Sequence, residues 1–331
     1  MTESLLRVND LKTYFFTAEG VVKAVDNVNI EIKKEEVLGL VGESGCGKST
    51  VALSVMRLVR DPGKIVGGEI WFNGEDLLKK GEGEMRKIRG AEISIIFQNP
   101  MSSLNPVFTV GSQIAEAIKL HQNVEKDKIK GKVAEILGKV GIPDPPKRMQ
   151  DYPHEYSGGM AQRAMIAMAL SCNPKLLIAD EPTTNLDVTI QAQILELMKD
   201  LRKDFGASIL LIGHDLGVIS ELSDKIAVMY AGKVVEYSDL TGIFQKPMHP
   251  YTQALLESIP RLDVETDRLR IIPGRVPRLI NPPSGCRFHS RCEHTMKVCT
   301  EKEPLLTEVG QDHMVACHLH TSDSKSSNRR R

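Results

Sequence analysis

Residues 42–50 read GESGCGKST, directly after the apolar run Val37–Val41 and before a stretch with helix-spaced apolar residues. This is the G-x-x-x-x-G-K-[ST] phosphate loop in its strand–loop–helix setting. Gly42, Gly45 and Gly47 allow backbone N–H groups to close around phosphate oxygens, and the helix N-terminus adds a favourable dipole. Ser44, Cys46 and Thr50 complete the phosphate-binding set, Lys48 would reach the β- and γ-phosphates, and Ser49 would ligate Mg²⁺. An ordinary glycine-rich turn is the plainer reading, and the flanking strand and helix weigh against it. Residues 176–181, LLIADE, pair with this loop. An apolar strand ends there in two carboxylates, at the crevice where α/β sheets bind ligands. Asp180 suits Mg²⁺, directly or through water, and Glu181 is placed to polarise an attacking water.

These groups must be held by an alternation of strands and helices. Val28–Ile32, Val37–Val41, Ile93–Phe97, Leu176–Ala179, Ser208–Ile212 and Lys225–Tyr230 read as strands, several apolar throughout. Lys48–Val59, Val188–Lys203 and Leu216–Leu222 carry helical spacing. The order predicts an α/β domain with parallel strands, a P-loop NTPase, over residues 1–237. From about 103 to 170 strands give way to helical patterns, including Ile129–Val140, which predicts an inserted helical subdomain. Prolines at 247, 250, 260, 273, 277, 282 and 283 then mark a small irregular domain over 238–320. The polar, basic tail 321–331 reads as disordered.

With the motifs in this order, the sequence resembles the ABC ATPase family over roughly residues 5–237. The deciding stretch is YSGGMAQR at 156–163, which looks like the family's signature. The resemblance implies that Tyr14 stacks on adenine and Gln98 is the Q-loop residue that also reaches Mg²⁺. It further implies that Asp187 of TNLD is the D-loop aspartate and His214 the switch histidine. Ser157 can cap the signature helix, and Gly158 and Gly159 let backbone approach an anion. Taken singly, the bland readings stay open: a helix start without a ligand, a structural histidine, a core aromatic at Tyr14. Tyr156 stands where Leu is commonest in the family, and Cys46 stands where serine is usual.

NPMSSLNPV at 99–107, TNLDVTIQAQIL at 184–195 and HPYTQALLESIP at 249–260 are similar to the dipeptide/oligopeptide importer ATPases. That resemblance implies MgATP hydrolysis coupled to two membrane permeases, with a second homologous ATPase subunit and, indirectly, a substrate-binding protein. The expected place is the cytoplasmic face of the membrane, bound through the permeases. A soluble ABC ATPase of DNA repair, ribosome recycling or iron–sulfur assembly is the alternative. A non-hydrolysing regulatory cassette conflicts with Glu181 and His214.

Four of six cysteines, Cys286, Cys292, Cys299 and Cys317, crowd into the last sixth of the chain with spacing C-x5-C-x6-C-x17-C. A segment with so little core usually needs a staple. Four thiolates are the normal complement of a [4Fe–4S] cluster, which tolerates irregular spacing. The similarity to importer ATPases with such extensions favours the cluster. Zinc is the runner-up, with His289, His294, His313 or His318 replacing a thiolate, although the paired knuckles of structural zinc sites are absent. Free thiols or disulfides are the remaining reading.

The 331 residues carry 43 acidic and 43 basic side chains, so no basic face is advertised and nucleic acid is not an expected partner. No apolar run approaches the roughly 18 residues of a membrane helix, and the first residues lack a signal-peptide pattern. Any membrane role must therefore come through a partner.

Overall fold

Short runs dominated by aliphatic residues suit strands covered on both faces, and three of them form one parallel set. Ile93–Ile96, Leu176–Asp180 and Ser208–Gly213 pair in register, with Leu176–Asp180 in the middle. Every residue of the last two strands is buried. The computed structural model describes residues 3–184, 186–259 and 272–320, which divide into two units. The first unit gathers the described residues of Met1–Leu5 with Ile32–Glu36 and Lys79–Ile212.

Within this unit the regular elements between residues 103 and 170 are helices. Val110–His121 buries Val110, Ile114 and Ile118, and Ile129–Lys139 buries Ile129, Val133, Ile136 and Leu137, each a single apolar stripe. Both pack on Gly158–Leu170, whose alanines 161, 164, 167 and 169 permit close approach. That helix also lies against the strand Ile93–Ile96. Each fully buried Ile or Leu in such a core contributes about 1.5–3 kcal/mol. Val188–Phe205 is the long helix of the unit, started by the Asp187 side chain and ended by Gly206 in the left-handed conformation.

The second unit gathers Leu6–Glu31, Val37–Leu78 and the described residues of Gly213–Arg331. One sheet runs in the order Gly20–Lys33, Ser4–Thr17, Gly63–Phe72, Glu75–Asp76. The other strands of the unit run Thr307–Gly310, His313–Val315, Lys233–Asp239, Lys225–Tyr230, Val37–Val41. Val37–Val41 and Lys225–Tyr230 are parallel, and the remaining pairs are antiparallel.

The proline-rich segment holds more regular structure than its sequence pattern predicts. His249 caps the helix Pro250–Glu257 through its Nδ1, which accepts from the Tyr251 N–H at 3.0 Å. The hairpin of Thr307–Gly310 and His313–Val315 extends the sheet from Lys233–Asp239. Strands of four and three residues are too short to leave a readable alternation. Glu236 is fully buried beneath this hairpin. Its carboxylate accepts from the Met248 and His249 N–H groups at 2.7 and 2.9 Å and meets His313 Nε2 at 2.7 Å. The tail 321–331 lies outside the described residues. Among the described residues no helix is long and apolar enough to cross a membrane.

Candidate functional site

In the second unit, the buried strand Val37–Val41 delivers the chain into the loop 42–47, and the helix Lys48–Val55 follows with Gly47 at its start. Gly47 has φ 108°, and a Cβ there would come within 2.1 Å of the Ala24 carbonyl. A Cβ at Gly42 would meet the Met229 carbonyl at 2.0 Å. Both glycines are thus demanded by neighbouring backbone before any ligand is considered. The Cys46 N–H donates to the Glu43 carbonyl at 3.2 Å and closes the turn.

Lys48 is 5% exposed, and its Nζ donates to the carbonyls of Gly42 at 2.7 Å and Glu43 at 3.2 Å. Its ammonium therefore sits over the loop, held by two neutral acceptors that a phosphate would outcompete. Ser44, Gly45 and Ser49 are exposed, whereas Gly47 and Thr50 are half-buried. Cys46 is fully buried, and burial pushes its thiol pKa up, which makes it an inert packing residue.

Tyr14, on the strand Ser4–Thr17, donates its hydroxyl to Asp26 Oδ1 at 2.7 Å, and Lys23 Nζ lies 5.8 Å from its ring centre. Burial, together with the bond to the Asp26 carboxylate, pushes the Tyr14 pKa up to about 12. His214, also in this unit, is exposed at the end of the buried strand Ser208–Gly213. Asp215 beside it accepts from the Gly217 and Val218 N–H groups at 2.8 and 3.3 Å and starts the next helix.

The first unit brings Gln98 and Glu181 together. Each leaves the end of a parallel strand, and Gln98 Nε2 donates to Glu181 Oε2 at 2.8 Å. Thr184 Oγ1 donates to the same oxygen at 2.9 Å, a contact the sequence reading did not single out. Glu181 has φ 48°, a left-handed conformation uncommon for a non-glycine residue, and its N–H donates to the Ile212 carbonyl at 2.9 Å. Asp180, one residue earlier, is 7% exposed. Ser157 caps the helix Gly158–Leu170, its Oγ accepting from the Met160 N–H at 3.3 Å. Asp187 caps Val188–Phe205 through the Ile190 N–H at 3.0 Å. A Cβ at Gly159 would touch Ile190 Cγ2 at 3.1 Å, so these two helix starts are neighbours. Asn185 lies outside the described residues.

The four C-terminal cysteines are free thiols, and all four line one cavity together with His249, His289, His294 and His318. Burial pushes the pKa of Cys286 up to about 11 and that of Cys317 up to about 12, and it raises that of Cys292. Four soft donors around one cavity match the donor set of an iron–sulfur cluster or zinc. Among the described residues, however, no group of three or more His, Cys, Asp or Glu side chains is arranged to hold a metal ion. The closed four-thiolate site expected from the spacing is not formed in this structure.

Residues 25–184 match the family described as "ABC transporter", and residues 235–299 match "Oligopeptide/dipeptide transporter, C-terminal region". The chain is 52% identical to the oligopeptide transport ATP-binding protein AppD of Bacillus subtilis, over 97% of this chain and 98% of that protein. It is 47% identical to the dipeptide transport ATP-binding protein DppD of Escherichia coli, again over 97% and 98%. Among solved structures, a dimeric ATP-binding cassette in a post-hydrolysis state with ADP and Pi aligns with TM-score 0.64 and 26% identity. That alignment covers 71% of this chain and 98% of the cassette.

Proposed function

This chain belongs to the ABC transporter ATP-binding family, and we propose that it is the ATP-hydrolysing subunit of a di-/oligopeptide importer. The observation that carries the hydrolytic part is Glu181, fixed by Gln98 and Thr184 at the end of a buried strand. The substrate class rests on the relatives, which are peptide, oligopeptide and dipeptide transport proteins along nearly the whole chain. The same likeness sets the soluble repair or recycling ATPase aside.

In this reading Gly42–Thr50 takes the β- and γ-phosphates, and Lys48 exchanges the Gly42 and Glu43 carbonyls for phosphate oxygens. Ser49, Gln98 and Asp180 would hold Mg²⁺, which offsets phosphate charge when bound. Glu181 accepts a proton from the attacking water, His214 faces the γ-phosphate, and Tyr14 stacks on adenine. Ser157, Gly158 and Gly159 present a helix N-terminus to the nucleotide of a second, homologous cassette, and Asp187 lies at that junction. Val188, which follows Asp187, is 82% exposed, as a residue awaiting a partner would be.

Met101, Val107 and Phe108, just after Gln98, are 45%, 69% and 55% exposed. An apolar patch of this kind suits a permease loop. The permeases would hold the protein at the cytoplasmic face of the membrane, with a substrate-binding protein acting on their other side. We assign residues 1–237 to the nucleotide-binding domain, with the helical subdomain within 103–170, and 238–320 to the extension. Cys286, Cys292, Cys299 and Cys317 would hold a [4Fe–4S] cluster in a structural role, with zinc as the alternative. The support is their donor chemistry and shared cavity.

Co-expression with two permeases and a peptide-binding protein, followed by reconstitution in vesicles, tests the reading. Peptide should stimulate ATP hydrolysis and accumulate inside. Co-fractionation with ribosomes or DNA, and none with the permeases, would contradict it.

A further inference from the structure

The cysteine-bearing segment 286–292 reaches the nucleotide loop through Arg291 and the Tyr14 partner Asp26 through Arg287, each arginine next to a cysteine in sequence. Arg291 donates from one terminal nitrogen to Glu43 Oε1 and Oε2 at 3.0 and 3.1 Å, and to the Tyr230 hydroxyl at 3.3 Å. Its other donors reach the Pro273 carbonyl at 2.8 Å and the Ile272 carbonyl at 3.3 Å. The Arg291 side chain is 5% exposed and that of Glu43 27%, so the pair is largely withdrawn from water. The guanidinium also lies 5.7 and 5.8 Å from the ring centres of Tyr230 and Phe288. These rings pack with Tyr251, whose hydroxyl accepts the Glu43 N–H at 2.9 Å.

Glu43 is a residue of the phosphate loop itself, and the extension thus grips both its carboxylate and its backbone. A carboxylate in a loop that must receive a triphosphate adds like-charge repulsion, strongest where water is excluded. Arg291 neutralises that charge. Arg287 acts on the second nucleotide contact. Its guanidinium, 6% exposed, donates to the Ala231 carbonyl and to Asp26 Oδ2. Asp26 is the carboxylate that receives the Tyr14 hydroxyl, with Lys233 Nζ at 3.6 Å on its other side.

We propose that the C-terminal extension is a brace for nucleotide binding, in which Arg291 positions the phosphate loop through Glu43 and Arg287 positions Tyr14 through Asp26. The proposal rests on the reading of this chain as an ATP-binding subunit. Both arginines are positioning residues, because neither is placed against the nucleotide. The two arms differ in what they support: Arg291 serves the phosphates and Arg287 the base.

Titration of the full chain with ATP and with inorganic tripolyphosphate separates the arms. Arg291→Met should weaken both ligands by about tenfold. Arg287→Met should weaken ATP and leave tripolyphosphate within about twofold, since tripolyphosphate has no base to stack. Glu43→Gln combined with Arg291→Met should regain most of the tripolyphosphate affinity, which a purely structural loss would not allow. Reciprocity supplies a readout on the unmutated protein. If the brace orders the nucleotide loop, bound ATP must order the brace and slow hydrogen exchange across 286–292. Wild-type protein that binds ATP without protecting 286–292, or an Arg291→Met variant with unchanged affinity for both ligands, overturns the brace and leaves the ATP-binding function standing. Wild-type protein that binds neither ligand instead removes the function on which the brace rests.

Discussion

The Gln98 side-chain amide donates to the Glu181 carboxylate at 2.8 Å, joining two residues 83 positions apart at the ends of parallel strands. The bond goes to an oxygen that also accepts from Thr184, so two side-chain donors fix the direction of this carboxylate. In the proposed mechanism this bond makes Gln98 a positioning residue for Glu181. Gln98→Ala should lower the maximal hydrolysis rate by roughly a hundredfold, because misplacing a reacting group by about 1 Å is worth that much. Equilibrium binding of ATP without Mg²⁺ should stay near wild type. Phosphate-release kinetics beside metal-free ATP titration measure the two quantities, and a loss confined to binding would contradict the orienting role.

Ser157 begins the signature helix with a single side-chain bond to the Met160 N–H. Ser157→Ala should cost about 1 kcal/mol of stability, the usual worth of such a cap. Ser157→Arg should do something different. In a mixed pair of one variant and one wild-type cassette, it should abolish hydrolysis at the phosphate loop of the wild-type chain. Equal activity of mixed and wild-type pairs would show that the helix start serves its own chain only.

What the sequence makes readable is what repeats locally. The phosphate loop, LLIADE and the signature are short runs whose residues meet within a few positions. The strands around them are dominated by apolar residues, and so Val37–Val41 and Lys225–Tyr230 are found with the bounds that spacing predicts. The antiparallel strand Ser4–Thr17 escapes the same reading for a physical reason. Asp10 has φ 45° and the register shifts between Asn9 and Lys12, so alternation breaks halfway along. Gly63–Phe72 carries Gly63, Gly67 and Gly68 and looks like a turn. Arg291 and Glu43 are 248 residues apart, and nothing near either predicts the other. The cysteine spacing predicts a metal cluster; the four cysteines line one cavity, and among the described residues no group is arranged to hold a metal ion.

Glu236 ties the extension to the strand Lys233–Asp239 by accepting from Met248, His249 and His313 in a fully buried position. Glu236→Ala leaves two backbone N–H groups and a histidine without their acceptor and should cost about 3 kcal/mol or more. Denaturant unfolding of the full chain measures it. A loss below about 1 kcal/mol would show that the hairpin and the helix are held by packing alone.

Anaerobically purified protein should be brown and carry iron and sulfide, with Cys286→Ser, Cys292→Ser, Cys299→Ser or Cys317→Ser each lowering the iron content. Colourless protein with stoichiometric zinc would replace the cluster by zinc at the same four thiols. Metal-free protein with four alkylatable thiols would remove the metal site altogether.

We propose hydrolysis of MgATP with Glu181 as the base and Lys48 as the phosphate ligand. The most direct measurement is ATP binding and phosphate release by wild-type, Glu181→Gln and Lys48→Ala proteins, each mixed with its partner cassette. Glu181→Gln should bind MgATP as tightly as wild type and release phosphate at least about a hundredfold more slowly, leaving a trapped ATP-bound pair. Lys48→Ala should lose binding itself. Phosphate release by Glu181→Gln at the wild-type rate would contradict the assignment.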